Sequence, residues 1–222
     1  MSRASEIFDV IRAGDLGRLK AILAADTKAA GARNERGHSA VLLAQYHHKK
    51  EMVELLLAAG PTLDYFDATA VGATARVAEF LDRDPNLIGT YSTDGFFALG
   101  LAAFFGHPET VRLLLARGAE VGQVAQNPMR VQALHGAVAG RHLEAARLLL
   151  EAGAPVNARQ QCGWIPLQGA VHNKDLEMTR LLLAHGADPK QQNDEGKSAI
   201  GMAAETENVD LLKLLKASGT RT

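Results

Sequence analysis

The chain has 222 residues, 47% of them hydrophobic but only 5% aromatic, and a formal net charge of −1 with a pI near 6.7. An apolar content carried mostly by leucine and alanine fits closely packed helices better than a β-sandwich, and near-neutral charge argues against the basic footprint of a nucleic-acid binder. The single cysteine, Cys162, excludes an internal disulfide framework and a thiolate cluster for zinc.

The opening segment, MSRASEIFDVIRAGD, lacks the apolar stretch of a secretory signal. No run approaches the roughly 18 apolar residues of a membrane span. A cytoplasmic protein with no membrane partner is therefore expected.

In chain order, the first helix pair falls around residues 5–24, inside a capping segment 1–33 that carries Arg18 on its second helix. A unit at 34–64 follows, with Gly37 in a turn, YHHKKE where one helix gives way to the next, and Leu55-Leu56-Leu57 in the second helix. The unit at 65–91 holds a helix pair over 66–82, and the unit at 92–126 contains Gly95, LAAFFGHPE and Leu113-Leu114-Leu115. The unit at 127–159 begins irregularly: GQVAQNPMRVQALH is two residues longer than its counterpart and has Arg130 where a turn glycine belongs. The unit at 160–192 reads most clearly, with Gly163 suited to a tight turn, Pro166 at a first helical turn and Gly186 placed to cap the second helix. A segment at 193–222 closes the array, with a pair around 198–217 in which Lys216 replaces the third leucine, as a terminal cap requires.

These units repeat. Leu-Leu-Leu occurs at 55–57, 113–115, 148–150 and 181–183, each time with glycine three residues later. Such a period marks stacked supersecondary units, none of which can bury its apolar face alone. About seven helix pairs sharing one interior are expected. A second, longer duplication underlies the first. A shift of 58 residues places Phe8-Asp9 on Phe66-Asp67, Gly14 on Gly72, Leu23 on Leu81, Gly37 on Gly95 and the leucines 55–57 on 113–115. From Gly153 to Ala170 is 17 residues, yet from Gly60 to the counterpart Ala68 is only 8. One turn segment is missing there, and a joint is expected between the second and third units.

The segments GWIPLQGAV, QALHGAVAGRH, LLLEAGAPVNA and LLLAHGADP resemble the ankyrin repeat, and the resemblance extends over nearly the whole chain. It implies an all-α solenoid of helix-turn-helix units with β-turn fingers, one finger being absent between units two and three. Residues 90–107, TYSTDGFFALGLAAFFGH, resemble stand-alone bacterial ankyrin proteins, some of them linked to stress responses. In the family, the last residues of each first helix and the residue after the finger glycine line a concave face. Carried over by position, these are Tyr46-His47, Ala70-Val71, Phe104-Phe105, Ala139-Gly140, His172-Asn173 and Glu205-Thr206, with His38, Phe96, Val131, Trp164 and Lys197 on the fingers.

The resemblance implies a protein or peptide partner, bound by a monomer through Tyr46, His47, Val71, Phe96, Phe104, Phe105, Trp164, His172 and Asn173. Phe96, Phe104 and Phe105 form the apolar centre, because apolar patches rimmed by polar groups mark partner sites. Phe104 and Phe105 are open to three readings: one ring in the groove and one in the core, both filling space beside the missing finger, or both exposed. Trp164 can equally brace neighbouring fingers.

Other chemistry has less support. His47 and His48 diverge by about 100° on a helix and do not converge on one metal ion. His135 matches a family position whose imidazole hydrogen-bonds between units, and His107 and His142 read as structural too. No catalytic serine elbow, phosphate loop or zinc-protease motif is present, so no enzyme, cofactor or metal is expected. Two alternatives stand beside the main reading: a small-ligand or enzymatic pocket at the missing finger, and weak nucleic-acid binding through Arg33, Arg36, His47, Lys49 and Lys50.

Overall fold

The computed structural model describes residues 3–205 and 208–218. Thr206, expected on the inner face, lies outside the described residues. Fourteen α-helices occupy the described residues, in consecutive pairs: α1 (Arg3–Ala13) with α2 (Leu16–Ala25), α3 (Ala40–Tyr46) with α4 (Lys50–Ala58), α5 (Tyr65–Ala70) with α6 (Thr74–Arg83) and α7 (Ala98–Phe104) with α8 (Pro108–Ala116). They continue with α9 (Ala133–Ala139) and α10 (Leu143–Glu151), α11 (Pro166–His172) and α12 (Leu176–Ala184), and α13 (Ala199–Glu205) and α14 (Val209–Ser218). The first helix of each pair packs on the first helix of the next, and the second helices form a parallel outer layer. The result is a two-layer α-solenoid.

The leucine triplets explain the layers. The middle leucine of each, Leu56, Leu114, Leu149 and Leu182, is completely buried between the layers. Full burial of one such side chain stabilises the fold by about 2 kcal/mol. In the two segments expected to cap the array, Arg18 is exposed and paired with Glu6 and Lys216 is exposed, while Val209 at the start of α14 is an exposed apolar residue.

The 58-residue duplication is a structural one. Moved by 58 positions, α2, α3 and α4 coincide with the bounds of α6, α7 and α8. Before α3 a 3-10 turn spans Thr27–Gly31, capped by Asp26; before α7 its equivalent spans Pro85–Gly89, capped by Asp84. Isolated bridges Arg33↔Ser39 and Tyr91↔Phe97 close the two fingers that follow.

Five fingers precede inner helices, and one backbone hydrogen bond defines them. The N–H donors of Asn34, Ser92, Gln160 and Asn193 reach the carbonyls of His38, Phe96, Trp164 and Lys197 at 2.8–3.0 Å. In the irregular finger the same bond runs from Ala125 to Val131, two residues further, and Arg130 takes the left-handed conformation (φ 51°) that glycine fills elsewhere. No finger lies between α4 and α5, where residues 59–64 connect the helices directly.

The interior expected to be continuous is divided at that point. Buried apolar residues form one cluster from Ile7 to Leu56 and another from Tyr65 to Leu215. Leu63 alone packs against both, and Val71 packs against the N-terminal one. The outer layer pairs α2 with α4 and then α6 with α8, without a comparable α4–α6 pairing. The finger row breaks at the same place. Backbone bonds Gln126 N–H to Gly95, Gln161 N–H to Met129 and Asp194 N–H to Cys162 link the last four fingers, and none reaches finger 33–39. The physical reason is local: a six-residue connector and a six-residue α5 offer too little apolar surface to continue the core, and buried polar side chains fill the gap.

Candidate partner-binding face

The seam left by the missing finger is held by a polar network. Asp67, fully buried, accepts hydrogen bonds from Ser39 Oγ (2.7 Å), Arg33 Nη2 (2.6 Å) and the Asp64 N–H (3.2 Å). Asp64 in turn accepts from the Asp67 N–H, completing a capping box on α5. Burial, followed by the nearby Asp64 charge, pushes the Asp67 carboxyl above its ordinary range, against the opposing pull of Ser39 and Arg33.

The same helical position does different work in later units. His135 accepts from the Gln132 N–H through Nδ1 (3.2 Å) and contacts the Ala158 carbonyl through Nε2 (3.0 Å). Gln168 accepts from the Ile165 N–H and donates to the carbonyls of Gln191 and Lys197. Both tie their helix to the following finger. The imidazole of His135 is kept neutral by burial, its pKa lowered to about 4. His107 lies against Gly72 and contacts the Ala70 carbonyl at 2.9 Å, while His142 lies against Gly106 and bonds the Phe104 carbonyl. Burial lowers the pKa of both. These three histidines are structural.

The aromatic residues close over the seam on the finger side. Without a third finger, pair two meets pair four directly. The Tyr46 hydroxyl donates to Asp94 Oδ2 (2.8 Å), Ser92 Oγ donates to Asp94 Oδ1 (2.5 Å), and His38 Nε2 lies 3.4 Å from Asp94 Oδ2. Burial and then the Asp94 charge raise the Tyr46 pKa, so the phenol stays protonated. The Tyr46 ring lies 5.7 Å from Phe105 and 6.3 Å from Phe96; Phe104 meets Phe105 edge-on at 5.0 Å and His48 at 6.1 Å. These separations suit aromatic pairing.

Each residue pair expected to face inward is the last residue of an inner helix and its C-cap: Tyr46-His47, Ala70-Val71, Phe104-Phe105, Ala139-Gly140 and His172-Asn173. Tyr46, Phe96, Phe104 and Phe105 come together, all half-buried. Neither Phe104 nor Phe105 belongs to a core cluster, whereas Phe96 packs against the C-terminal one. So neither phenylalanine is enclosed, and both brace the seam. His47 is exposed beside this group. Trp164 and His172 form a separate T-shaped pair at 5.7 Å, and the Asn173 amide donates to the Val138 carbonyl at 3.0 Å. No local pattern in the sequence marks Asp94 or Asp67: the Asp94–Tyr46 contact joins residues 48 positions apart.

Two surface depressions lie away from the seam. One, of about 170 Å³, is bordered by Met129, Gln160, Gln161, Cys162 and Trp164. The other, of about 300 Å³, lies between Gly14, Leu16 and residues 49–52. No helix among the described residues is long and apolar enough to cross a membrane.

Stacked two-helix units with finger turns define an α-solenoid of the ankyrin type. The family model for ankyrin repeats, in three copies, matches residues 65–160 and 152–222, and the chain belongs to that family. The match begins at Tyr65, the first residue of α5, directly after the connector 59–64. A search of curated proteins returns no match. Ankyrin repeats generally serve as protein–protein interaction modules, and the fold is typically non-enzymatic.

Proposed function

We propose that this chain binds a partner protein or peptide across the aromatic seam, through Tyr46, Phe96, Phe104 and Phe105. The observation that supports this is the half-open aromatic group at the one place where the finger row is broken. Tyr46, Phe104 and Phe105, left outside both cores, and the half-buried Phe96 keep apolar surface available, and few rotatable bonds make them good anchors. His47 and Val71 border this anchor, while Trp164, His172 and Asn173 form a second contact zone along the same face. A monomer acting in the cytoplasm, in a stress or regulatory role, is the setting we infer.

The test is affinity purification of the tagged full-length chain from its native cells, in parallel with Phe96→Ser and Phe105→Ser variants. A specific partner retained by the parent and lost by both variants, with thermal melting showing all three folded, supports the reading. A partner held equally by all three, or none at all, refutes it.

A further inference from the structure

Six turns joining the two helices of a pair are described, and they share one geometry. One residue just past the end of the first helix adopts a left-handed backbone conformation, and its N–H bonds back to a carbonyl three residues earlier. In three turns that residue is glycine: Gly14, Gly72 and Gly106. In the other three it is His48 (φ 52°), Arg141 (φ 60°) and Lys174 (φ 56°). A side chain at such φ strains the backbone, and glycine serves the turn equally well in this same chain. Strain that persists where a relaxed alternative exists calls for another use of the side chain.

Position supplies that use. The His48 ring lies tilted 6.1 Å from that of Phe104, and Arg141 follows Gly140, whose backbone sits against the Phe104 carbonyl. Lys174 follows Asn173, whose amide donates to the carbonyl of Val138 on α9, the helix that Arg141 follows. The row therefore starts at the phenylalanines and runs toward the C-terminal end. All three side chains are exposed, and no ion pair among the described residues engages them. On the outer layer several cations are answered instead: Arg76, Arg112, Arg147 and Arg180, and Arg117 at the end of α8, each pair with a carboxylate of this chain. Asp175, which follows Lys174 in the chain, caps α12 by accepting from the Met178 N–H. A chain of net charge −1 thus presents a line of unanswered donors and cations beginning at its aromatic anchor.

We propose that the partner segment is an acidic peptide: an apolar residue seats on Phe104 and Phe105, and carboxylates meet His48, Arg141 and Lys174. The inference rests on the aromatic seam as the binding site and adds the chemistry of what binds there. The protein's overall charge favours a peptide over a nucleic acid.

The test is selection of a displayed library of random linear peptides on the full-length protein. Enriched peptides are then titrated, by fluorescence anisotropy, against the parent, Phe105→Ser, and the triple variant His48→Gly, Arg141→Gly, Lys174→Gly. Glycine is the turn's own relaxed residue, so the triple variant is expected to melt no lower than the parent. The expected result is an enriched set with an apolar residue beside aspartates or glutamates. Binding should weaken with added salt and fall roughly tenfold in the triple variant, the loss of several exposed charge contacts. Peptides that need Phe105 but show no excess of acids, or bind the triple variant as tightly as the parent, overturn the acidic assignment and leave the seam as the site. Failure to enrich any peptide overturns both. Equal competition by a single-stranded DNA oligonucleotide assigns the row to a nucleic acid and overturns the peptide.

Discussion

Asp67→Ala should uncouple the N-terminal two helix pairs from the rest of the solenoid. The substitution removes a fully buried carboxylate that receives Ser39, Arg33 and the Asp64 backbone. Ser39, itself buried, is left with a hydroxyl that lacks its acceptor, a loss of about 1–2 kcal/mol. Losing half of the α5 capping box adds about 0.5–1 kcal/mol. Arg33 contributes little to the cost, because its side chain is 37% exposed and keeps Asp64 at 2.8 Å. Relief from burying a carboxylate offsets part of this, leaving a net loss of about 2 kcal/mol concentrated at one interface. In a solenoid, stability adds from neighbour to neighbour, so a weakened interface frees one end without melting the other. Native-state hydrogen exchange read by mass spectrometry should show protection in α1–α4 falling roughly thirtyfold, with α9–α12 unchanged. Equal losses at both ends would show a single cooperative unit. No loss anywhere would mean that Leu63 and the aromatics, not the polar network, hold the seam.

Three further outcomes follow from the packing. His135 has its folded pKa lowered to about 4, against about 6.5 unfolded, so the unfolded chain binds more protons between these values. Its contribution is complete above pH 6.5 and is lost as pH falls toward 4, by up to about 3 kcal/mol; His107 and His142 act in the same direction. His135→Gln, copying Gln168 at the equivalent position, should keep stability at pH 7 within about 1 kcal/mol and flatten urea midpoints between pH 6.5 and 4; an unchanged slope would refute this. Gly140→Ala should cost at least about 2 kcal/mol, because the new Cβ would lie 2.3 Å from the Phe104 carbonyl oxygen, whereas Gly153→Ala meets no atom and should cost only about 1 kcal/mol of backbone strain. Thermal melts that rank these two the other way would contradict the packing. Phe105→Ser should cost about 1–2 kcal/mol as it loses Phe104 and Tyr46, and a melting temperature equal to the parent's would show that the ring does not brace the seam.

Much of this architecture is readable without coordinates. Leucine triplets with a glycine three residues on, and a shift of 58 residues that places residues 8–57 on 66–115, are local and periodic, and helix pairs obey local and periodic rules. The short spacing from Gly60 to Ala68 likewise marks where a finger is missing. The pairs expected to face inward are readable the same way, because each is the end of an inner helix. What that missing finger does could not be read from the chain. It divides the core in two, brings Tyr46 against Asp94 and Phe105, and buries Asp67 beneath Arg33 and Ser39. Those partners lie 28 to 59 positions apart, and removing nine residues of backbone from one unit decides how far its neighbours close over the gap. Spacing counts residues along a chain; the contacts of a seam depend on how rigid bodies on either side of it meet in space.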